Sequence, residues 1–486
     1  MITYLLNEND IEFLEKLAET NKQYLNNDSG NAELIAQYIK ERYVFDADSK
    51  RFLFFDRKRW VPDKENSIYQ EVIKAFREEQ RRSLDIEDND MRSKAVKFYI
   101  QSENYMRINS CLKIAQTIPG VVVRNKIFDK DDHLLNVQNG TVNLIDGTLK
   151  PHDKRSFITK LCPVNYDPDA KCPTMEKFIN EIMGDNKNLI EHVQLMIGYF
   201  LSGFTNEQKL FIYFGSGRNG KSTLIEIMRK LLGDYAVNIP IEALMSKDTP
   251  SMGNEIVRLR GARLATTGEV EQGKRLAENQ AKLLTGNDTM TARALYSESI
   301  EFRNKAKIVM GTNHLPGVRG QELGLFRRFD ITPFNVTIPN EKVDKKLFEK
   351  LMNEMSGILN FALEGFRKWQ LTGLGEPIEI TQAVESYKIS QDPIANFINE
   401  YCEVGFNLSV SASKLYAAYS EWCRDNREYN LSQRKFGTAL GERGYSRRSG
   451  TGNYTYYIGL NLISEQTKQP LTTADWDELD AQERVM

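Results

Sequence analysis

The octapeptide Gly215-Ser-Gly-Arg-Asn-Gly-Lys-Ser222 has the spacing G-x-x-x-x-G-K-S, in which each residue type answers a requirement of triphosphate binding. Gly215, Gly217 and Gly220 let backbone N–H groups turn inward as an anion nest around Asn219, and a helix starting there adds the positive end of its dipole. Lys221 is expected to reach the β- and γ-phosphates and Ser222 to ligate Mg²⁺, with Thr223 next in the same helical turn. The alternative is an ordinary glycine-rich turn. The apolar run Leu210–Phe214 before the motif and the helical pattern Ser222–Leu232 after it weigh against that, so ATP with Mg²⁺ is the expected ligand.

Such a loop binds nucleotide without saying what the energy is used for, and the later strands must decide. Arg263–Thr267 is a strand of modest apolarity leading to Glu269, a carboxylate able to hold Mg²⁺ through water and polarise the attacking water; Glu271 is the neighbour that can share the task. A strand followed by Glu is common, so a purely structural Glu269 stays open. Lys307-Ile-Val-Met-Gly-Thr-Asn313 ends in an amide that can orient water against the γ-phosphate, or act as a turn residue before His314-Leu-Pro316. In Leu325-Phe-Arg-Arg-Phe329, Arg327 and Arg328 stand among apolar neighbours, where unpaired charge is costly. A salt bridge to Glu322 or Asp330 would pair one of them; so would a reach into the next subunit's γ-phosphate.

These groups need a sheet to hold them. Leu210–Phe214, Arg263–Thr267, Lys305–Met310 and Phe329–Pro333 alternate with helical segments, the pattern of an α/β domain rather than a bundle. Ahead of it, residues 1–125 mix helical patterns (Asn9–Tyr24, Ala32–Glu41, Ser67–Gln80, Arg92–Ser102) with an aromatic hairpin over Arg51–Trp60, an α+β region. Residues 126–204 carry hairpin-turn signals at Asn139-Gly140 and Asp146-Gly147, then helical periodicity over Met175–Phe204. The predicted divisions are 1–125, 126–204, a nucleotide-binding core over 205–375, a C-terminal domain over 390–463 and a polar tail over 464–486.

Composition excludes several classes. A chain of 486 residues supports two to four domains at about 100–200 residues each. Lys+Arg at 65 against Asp+Glu at 67 leaves a net charge of -2, so any nucleic-acid contact must be local. The longest apolar stretch, Val193–Phe204, is broken by Gln194, Gly198 and Ser202 and falls short of a membrane span. The acidic N-terminus does not read as a secretory signal, and a cytoplasmic protein is expected. Five cysteines without C-x-x-C spacing read as reduced, buried thiols.

Charge does concentrate near the C-terminus. Arg434, Lys435, Arg443, Arg447 and Arg448 face Glu442 alone between Ser432 and Arg448. A helix over Ser432–Arg443 followed by a glycine-tipped hairpin reads as the recognition helix and wing of a winged-helix domain contacting duplex DNA through Arg434, Lys435, Arg447 and Arg448. A solvated basic face on a small packing domain is the alternative.

The ordered series resembles superfamily 3 helicases, specifically the phage, plasmid and poxvirus-type primase-helicase family, Rep-like replication initiators of mobile elements. The pieces carrying the resemblance are Gly215–Ser222, Arg263–Glu269, Lys282–Asp288, Met290–Tyr296, Lys307–Asn313 and Phe326–Phe329, within about residues 130–372. It implies an AAA+ core in a homo-hexameric ring, with ATP sites between subunits, translocating 3′→5′ on single-stranded DNA in a central channel. By that resemblance Lys221 and Ser222 form the Walker A pair, Glu269 is the Walker B carboxylate and Asn313 the sensor. Arg328, fifteen positions after Asn313, is the preferred arginine finger and Arg327 the reserve.

The segment Lys282–Phe302 corresponds to the family's channel hairpin. Its turn, Tyr296-Ser-Glu-Ser299, lacks the lysine of many relatives, leaving Lys282, Arg293 and Tyr296 as DNA-contact candidates; the alternative is a solvated turn with Arg293 in an ion pair. The first ~100 residues suit a collar that promotes ring assembly. No paired-carboxylate or zinc signature of a primer-synthesising domain is seen, so primase activity is not predicted.

The expected function is therefore an ATP-dependent DNA helicase and replication initiator of a phage, plasmid or genomic island, binding duplex origin DNA and working with a host primase, loader or polymerase. The competing readings are an ATP-switched origin-binding protein that does not translocate, and a small-molecule P-loop kinase. Hydrolysis stimulated by single-stranded DNA separates the first reading from both.

Overall fold

The computed structural model describes residues 26–246, 256–293, 299–318, 323–426, 428–449 and 455–463, in two compact units that meet in sequence near residue 384. The expected helix Asn9–Tyr24 and the tail 464–486 lie outside the described residues.

The first unit begins with α1 (Asp28–Ile39), whose N-terminus is capped by Asn27 accepting from the Gly30 N–H. Then come β1 (Tyr43–Asp46), β2 (Arg51–Phe55), β3 (Trp60–Pro62), α2 (Ile68–Ser83), α3 (Asn89–Ser102), α4 (Tyr105–Ala115) and β4 (Val122–Val123). The strands form one sheet in the order β3-β2-β1-β4, with Phe55 opposite Trp60 in the expected aromatic hairpin. Trp60 also stacks on Phe157 at 5.8 Å and donates from its indole N–H to the Lys154 carbonyl, so packing runs across residue 125. A meander follows: β5 (Leu134–Val137), β6 (Gly140–Asn143) and β7 (Leu149–Lys150). The β5–β6 link is the tight turn that Asn139-Gly140 predicts, whereas the β6–β7 link, holding Asp146-Gly147, is a longer loop over residues 144–148.

Two helices lead into the central sheet, α5 (Pro173–Ile182) and α6 (Lys187–Phe200). The sheet and its connections comprise β8 (Leu210–Phe214), α7 (Lys221–Leu232), β9 (Ala236–Ile239), β10 (Leu264–Thr267), α8 (Glu278–Thr285), the antiparallel hairpin β11 (Thr289–Arg293) and β12 (Ser299–Arg303), β13 (Lys307–Thr312), α9 (Leu323–Phe326) and β14 (Phe329–Pro333). Strand order is β14-β8-β13-β10-β9, all parallel. Burial on both faces matches the apolar runs Leu-Phe-Ile-Tyr and Ile-Val-Met. The edge strand β9 was not expected; three of its four residues are at least partly exposed, so it lacks a hydrophobic signal.

α10 (Leu347–Asn353) and α11 (Met355–Thr372) close this unit, with α12 (Ile378–Ser390) leaving it. Contact of α6 with α11 is set by Gly198 and Gly365. A Cβ on Gly198 would lie 2.1 Å from the Phe366 nitrogen, and one on Gly365 2.0 Å from the Gln194 oxygen, so only glycine lets the two backbones approach this closely.

Charged residues at the starts of β10 and β13 also serve packing. Arg263 donates to the Leu201 and Leu134 carbonyls and lies over the Tyr235 ring, while Lys307 donates to the Ser202 carbonyl and lies over Tyr199. Both cations meet carbonyls beyond the C-terminus of α6, where positive charge is favoured.

α6 also carries His192, whose Nε2 is 3.0 Å from Asp330 on β14, both side chains buried. Burial disfavours the imidazolium, but the Asp330 carboxylate and the Leu374 carbonyl outweigh it and raise the His192 pKa. A pKa raised on folding gives stability that is complete below the unfolded value, about 6.5, and lost as pH climbs through the folded value. His192→Ala strands Asp330 with only the Thr332 hydroxyl, at 3.3 Å. An expected loss of about 3 kcal/mol, shrinking as pH is raised, would appear in denaturant titrations at several pH values.

The second unit comprises α13 (Pro393–Tyr401), β15 (Cys402–Ser411), α14 (Ala412–Asp425), α15 (Gln433–Glu442), β16 (Arg447–Ser449) and β17 (Thr455–Leu462), with sheet order β15-β17-β16. The expected helix over Ser432–Arg443 is present as α15. β15 is a correction: no strand was expected there, although Val404, Phe406, Leu408 and Val410 alternate with Glu403, Gly405, Asn407 and Ser409; most of its residues are exposed, and it is held by pairing with β17 some fifty residues later. Phe397, Tyr419, Trp422 and Phe436 form the core, with Tyr419 stacked on Phe436 at 4.2 Å. All five cysteines of the chain are buried and unpaired. No described helix is long and apolar enough to cross a membrane.

Candidate nucleotide site

β8 delivers the glycine loop and α7 begins on its last glycine. Gly220 has φ +83°, and a Cβ there would sit 2.4 Å from the Ile182 methyl, so the loop rests directly on α5 and tolerates no side chain. No side chain caps the N-terminus of α7, which leaves its first N–H groups suited to an anion. Asn219 is buried and donates to the Phe334 carbonyl at 3.0 Å, fastening the loop to the end of β14. Gly217 at φ +100° has open space where a Cβ would be, so backbone conformation alone demands glycine.

Lys221 is 5% exposed, and its ammonium donates to three neutral oxygens: the Gly215 carbonyl at 2.6 Å, Asn219 Oδ1 at 3.0 Å and Asn313 Oδ1 at 3.1 Å. Burial lowers its pKa, opposed in part by the charge of Glu269. A buried cation without a contacting carboxylate, beside an uncapped helix terminus, is a site built for an anion. Ser222 is exposed on the first turn of α7 and Thr223 is half-buried after it.

The sheet brings Asn313 to Lys221 because β13 lies directly beside β8, with Thr312 opposite Phe214. β10 is one strand further out, and Glu269 projects exposed from its end. Glu271 is exposed and ion-paired with Lys274 at 3.4 Å within the turn that follows. No group of three His, Cys, Asp or Glu side chains gathers among the described residues. A divalent ion here would thus be held by Ser222, Glu269 and phosphate oxygens rather than by a protein cage, as Mg²⁺ prefers.

Arg327 and Arg328 lie at the opposite end of the sheet. β14 runs parallel to β8 with Phe329 opposite Leu210, so both arginines flank the start of β8 while the glycine loop follows its end. Lys209 donates to the Arg327 carbonyl at 2.8 Å and the Leu210 N–H to the Arg328 carbonyl at 2.6 Å. Both arginines are thus set the length of β8 away from the glycine loop of their own chain. The Arg328 guanidinium is committed locally, donating to the Thr285 hydroxyl at 2.9 Å at the end of α8. Arg327 is exposed. Sequence spacing preferred Arg328, and no local signal could have announced a partner forty-three positions earlier.

Of the hairpin candidates, Lys282 sits in the last turn of α8 and Arg293 ends β11; Tyr296 lies outside the described residues. In the second unit Arg434 and Lys435 are exposed on the first turn of α15 and Arg448 is exposed on β16. Arg447 has its Nε donating to the Tyr457 hydroxyl at 2.9 Å and its guanidinium against Gly437 of α15.

Residues 32–184 match the D5 N terminal like family, residues 213–328 a family of unknown function (DUF5906), and residues 389–445 the Poxvirus D5 protein-like family. The chain is 29% identical over 324 residues to a protein of Acanthamoeba polyphaga mimivirus named as a helicase, covering 62% of this chain and 34% of the relative. It is 26% identical over 335 residues to a protein of African swine fever virus named as a primase, with the same two coverages. The D5-type matches at both ends, with these relatives, support a likeness to the D5-type primase-helicase family. The chain spans about a third of the length of the curated relatives it matches. Its mixed α/β fold with a parallel sheet is similar to the C-terminal region of NrS-1 in its apo form, at TM-score 0.50 and 12% identity over 86% of this chain and 96% of that one. The match to the family of unknown function holds the glycine loop, Glu269, Asn313 and both arginines.

Proposed function

We propose that this chain is an ATP-dependent DNA helicase and replication initiator, assembled as a homo-hexameric superfamily 3 ring of AAA+ cores. In this reading single-stranded DNA passes through the centre, and each ATP lies between neighbouring subunits. The observation that carries it is the meeting of Lys221 with Asn313 beneath the uncapped start of α7, an anion site with a water-orienting amide at its side. Ser222 and Glu269 would hold Mg²⁺, which supplies charge neutralisation for the leaving phosphates. The position of Arg327 and Arg328 across the sheet supports completion of each site by a neighbour. Of the two, Arg327 is the finger we favour, with Arg328 anchoring the segment. Movement 3′→5′ and dealings with a host primase, loader or polymerase rest on the family resemblance alone.

The test is hydrolysis and strand separation by the full chain. ATP turnover stimulated several-fold by single-stranded DNA, with unwinding of a forked duplex, is the expected result. Turnover indifferent to DNA would overturn the helicase reading in favour of a kinase or switch.

The second unit supports the proposed winged-helix reading through its order of helices and strands and its sheet order β15-β17-β16. There α15 would enter the major groove, with Arg434 and Lys435 on its first turn and Arg448 on phosphates. Arg447 would act by bracing β16 on α15. Replacing Arg434 and Lys435 with alanine is expected to lower the slope of log affinity against log salt by about 2 on duplex DNA. Titration by fluorescence anisotropy at several salt concentrations checks this, and an unchanged slope would remove α15 from the interface.

A further inference from the structure

A cleft of about 1480 Å³ opens beside the glycine loop, between α5 and the segment running from Ile338 into α10. Arg218, Gly220 and Thr223 line it, so it adjoins the anion site rather than standing apart. Its walls are tied together and to the loop. The Arg218 guanidinium donates to Asn340 at 2.7 Å, and the Ile338 N–H donates to the Arg218 carbonyl at 2.9 Å. At the far end the Glu354 carboxylate accepts from the Thr174 N–H at 2.9 Å and the Met175 N–H at 3.2 Å, holding the start of α5 against the junction of α10 and α11.

The lining has the mixed chemistry of a nucleoside. Phe348 and Val343 expose 37% and 48% of their surfaces there, whereas Phe178 on α5 is only 2% exposed and forms floor rather than face. Apolar groups left open inside a cleft next to an anion site suit an occupant with an apolar face, and Lys177, Lys342, Lys345 and Lys350 on the same lining add positive charge that suits its phosphates. On the opposite wall, Asn180, Glu181 and Asp185 line the cleft with oxygen acceptors. A flat ring carrying an exocyclic amine satisfies both walls, because a base stacks on an aromatic and donates to carboxylate or amide oxygen.

We propose that this cleft receives the adenine base of the nucleotide, with Phe348 as its stacking residue and the acidic end of α5 accepting from the base amine. The inference rests on the glycine loop binding triphosphate, and it deepens that reading by assigning the specificity for the base. Because Arg218 and Asn340 join the cleft wall to the loop, occupation by the base would also steady the loop around the phosphates.

The experiment compares ATP, UTP and inorganic tripolyphosphate by calorimetric titration of the full chain. Phe348→Ala is expected to weaken ATP about tenfold, the loss of one stacked base, while tripolyphosphate binds unchanged. UTP, which lacks the amine, is expected to bind the wild-type chain several-fold more weakly than ATP. In Phe348→Trp, ATP but not tripolyphosphate is expected to change the added indole fluorescence. ATP affinity unaltered in Phe348→Ala, or an indole blind to ATP, would overturn the base assignment. Lys221→Ala separates the two levels: it should weaken ATP and tripolyphosphate alike, and if it weakens neither, the loop reading itself fails whatever Phe348 does.

Discussion

Lys221→Ala is expected to reduce ATP hydrolysis by on the order of 10²–10³-fold, the cost of removing one preorganised charge from a developing oxyanion. It is expected to leave the fold nearly as stable as before. The ammonium is buried among three neutral oxygens, and burial already lowers its pKa, so the folded chain holds a cation it does not balance. Alanine relieves that burden. It also leaves three oxygens short of a donor, but the loop borders an open cleft from which water can replace the ammonium, so the net shift should stay near 1 kcal/mol. Two measurements check the prediction together. Hydrolysis should fall by that factor, and the stabilisation that nucleotide is expected to give in melting curves, about 2.7 kcal/mol at a hundredfold excess over Kd, should shrink with it. A variant that still turns over ATP at the wild-type rate would dismiss Lys221 from the chemistry.

What the sequence made legible was local. Leu210–Phe214, the glycine loop and the helix to Leu232 form one continuous stretch whose apolar run, glycines and helical period all act within a few residues, and β14 shows itself by the alternation of Phe329, Ile331 and Pro333 with Asp330 and Thr332. Lys221 stands out as a candidate through the glycine motif, and Glu269 and Asn313 through their places after strands. What stayed hidden was every relation across long separations. That β13 rather than β10 lies beside β8, bringing Asn313 to within 3.1 Å of Lys221, is a property of strand order, which no window of sequence contains. Arg263 and Lys307 read as polar starts of strands, yet both are buried against carbonyls beyond α6, a pairing made sixty to a hundred residues away. β15 is the exception, because the alternation of Val404, Phe406, Leu408 and Val410 with polar residues or glycine is a local strand signal, although its exposure leaves its stability to the partner strand. The Phe348 cleft stayed hidden because its two walls, α5 and the segment before α10, are about 160 positions apart.

The same logic bears on the two arginines and gives the second large effect. Five residues of β8 separate the level of Arg327 and Arg328 from that of the glycine loop, about 13 Å of extended chain, so in the proposed ring a direct effect of either on hydrolysis is expected on a neighbour's nucleotide. Arg327→Ala is expected to cut hydrolysis 10³-fold or more, in the range of other arginine fingers. Mixed in equal amounts with Lys221→Ala, it should recover roughly a quarter of the wild-type rate, because an interface pairing an intact lysine with an intact neighbouring arginine forms about once in four random contacts. Neither variant alone can form such an interface. Arg328→Ala is expected to behave differently, since its guanidinium already serves the end of α8 through Thr285: a loss of about 1–2 kcal/mol in stability, with hydrolysis largely kept. If Arg328→Ala proves the inactive variant that Lys221→Ala rescues, while Arg327→Ala hydrolyses normally, the roles exchange. Arg328 must then leave Thr285 when subunits meet, and assembly itself would release the finger. If no mixture recovers activity at any ratio, the site is not shared between subunits and the ring reading falls with it.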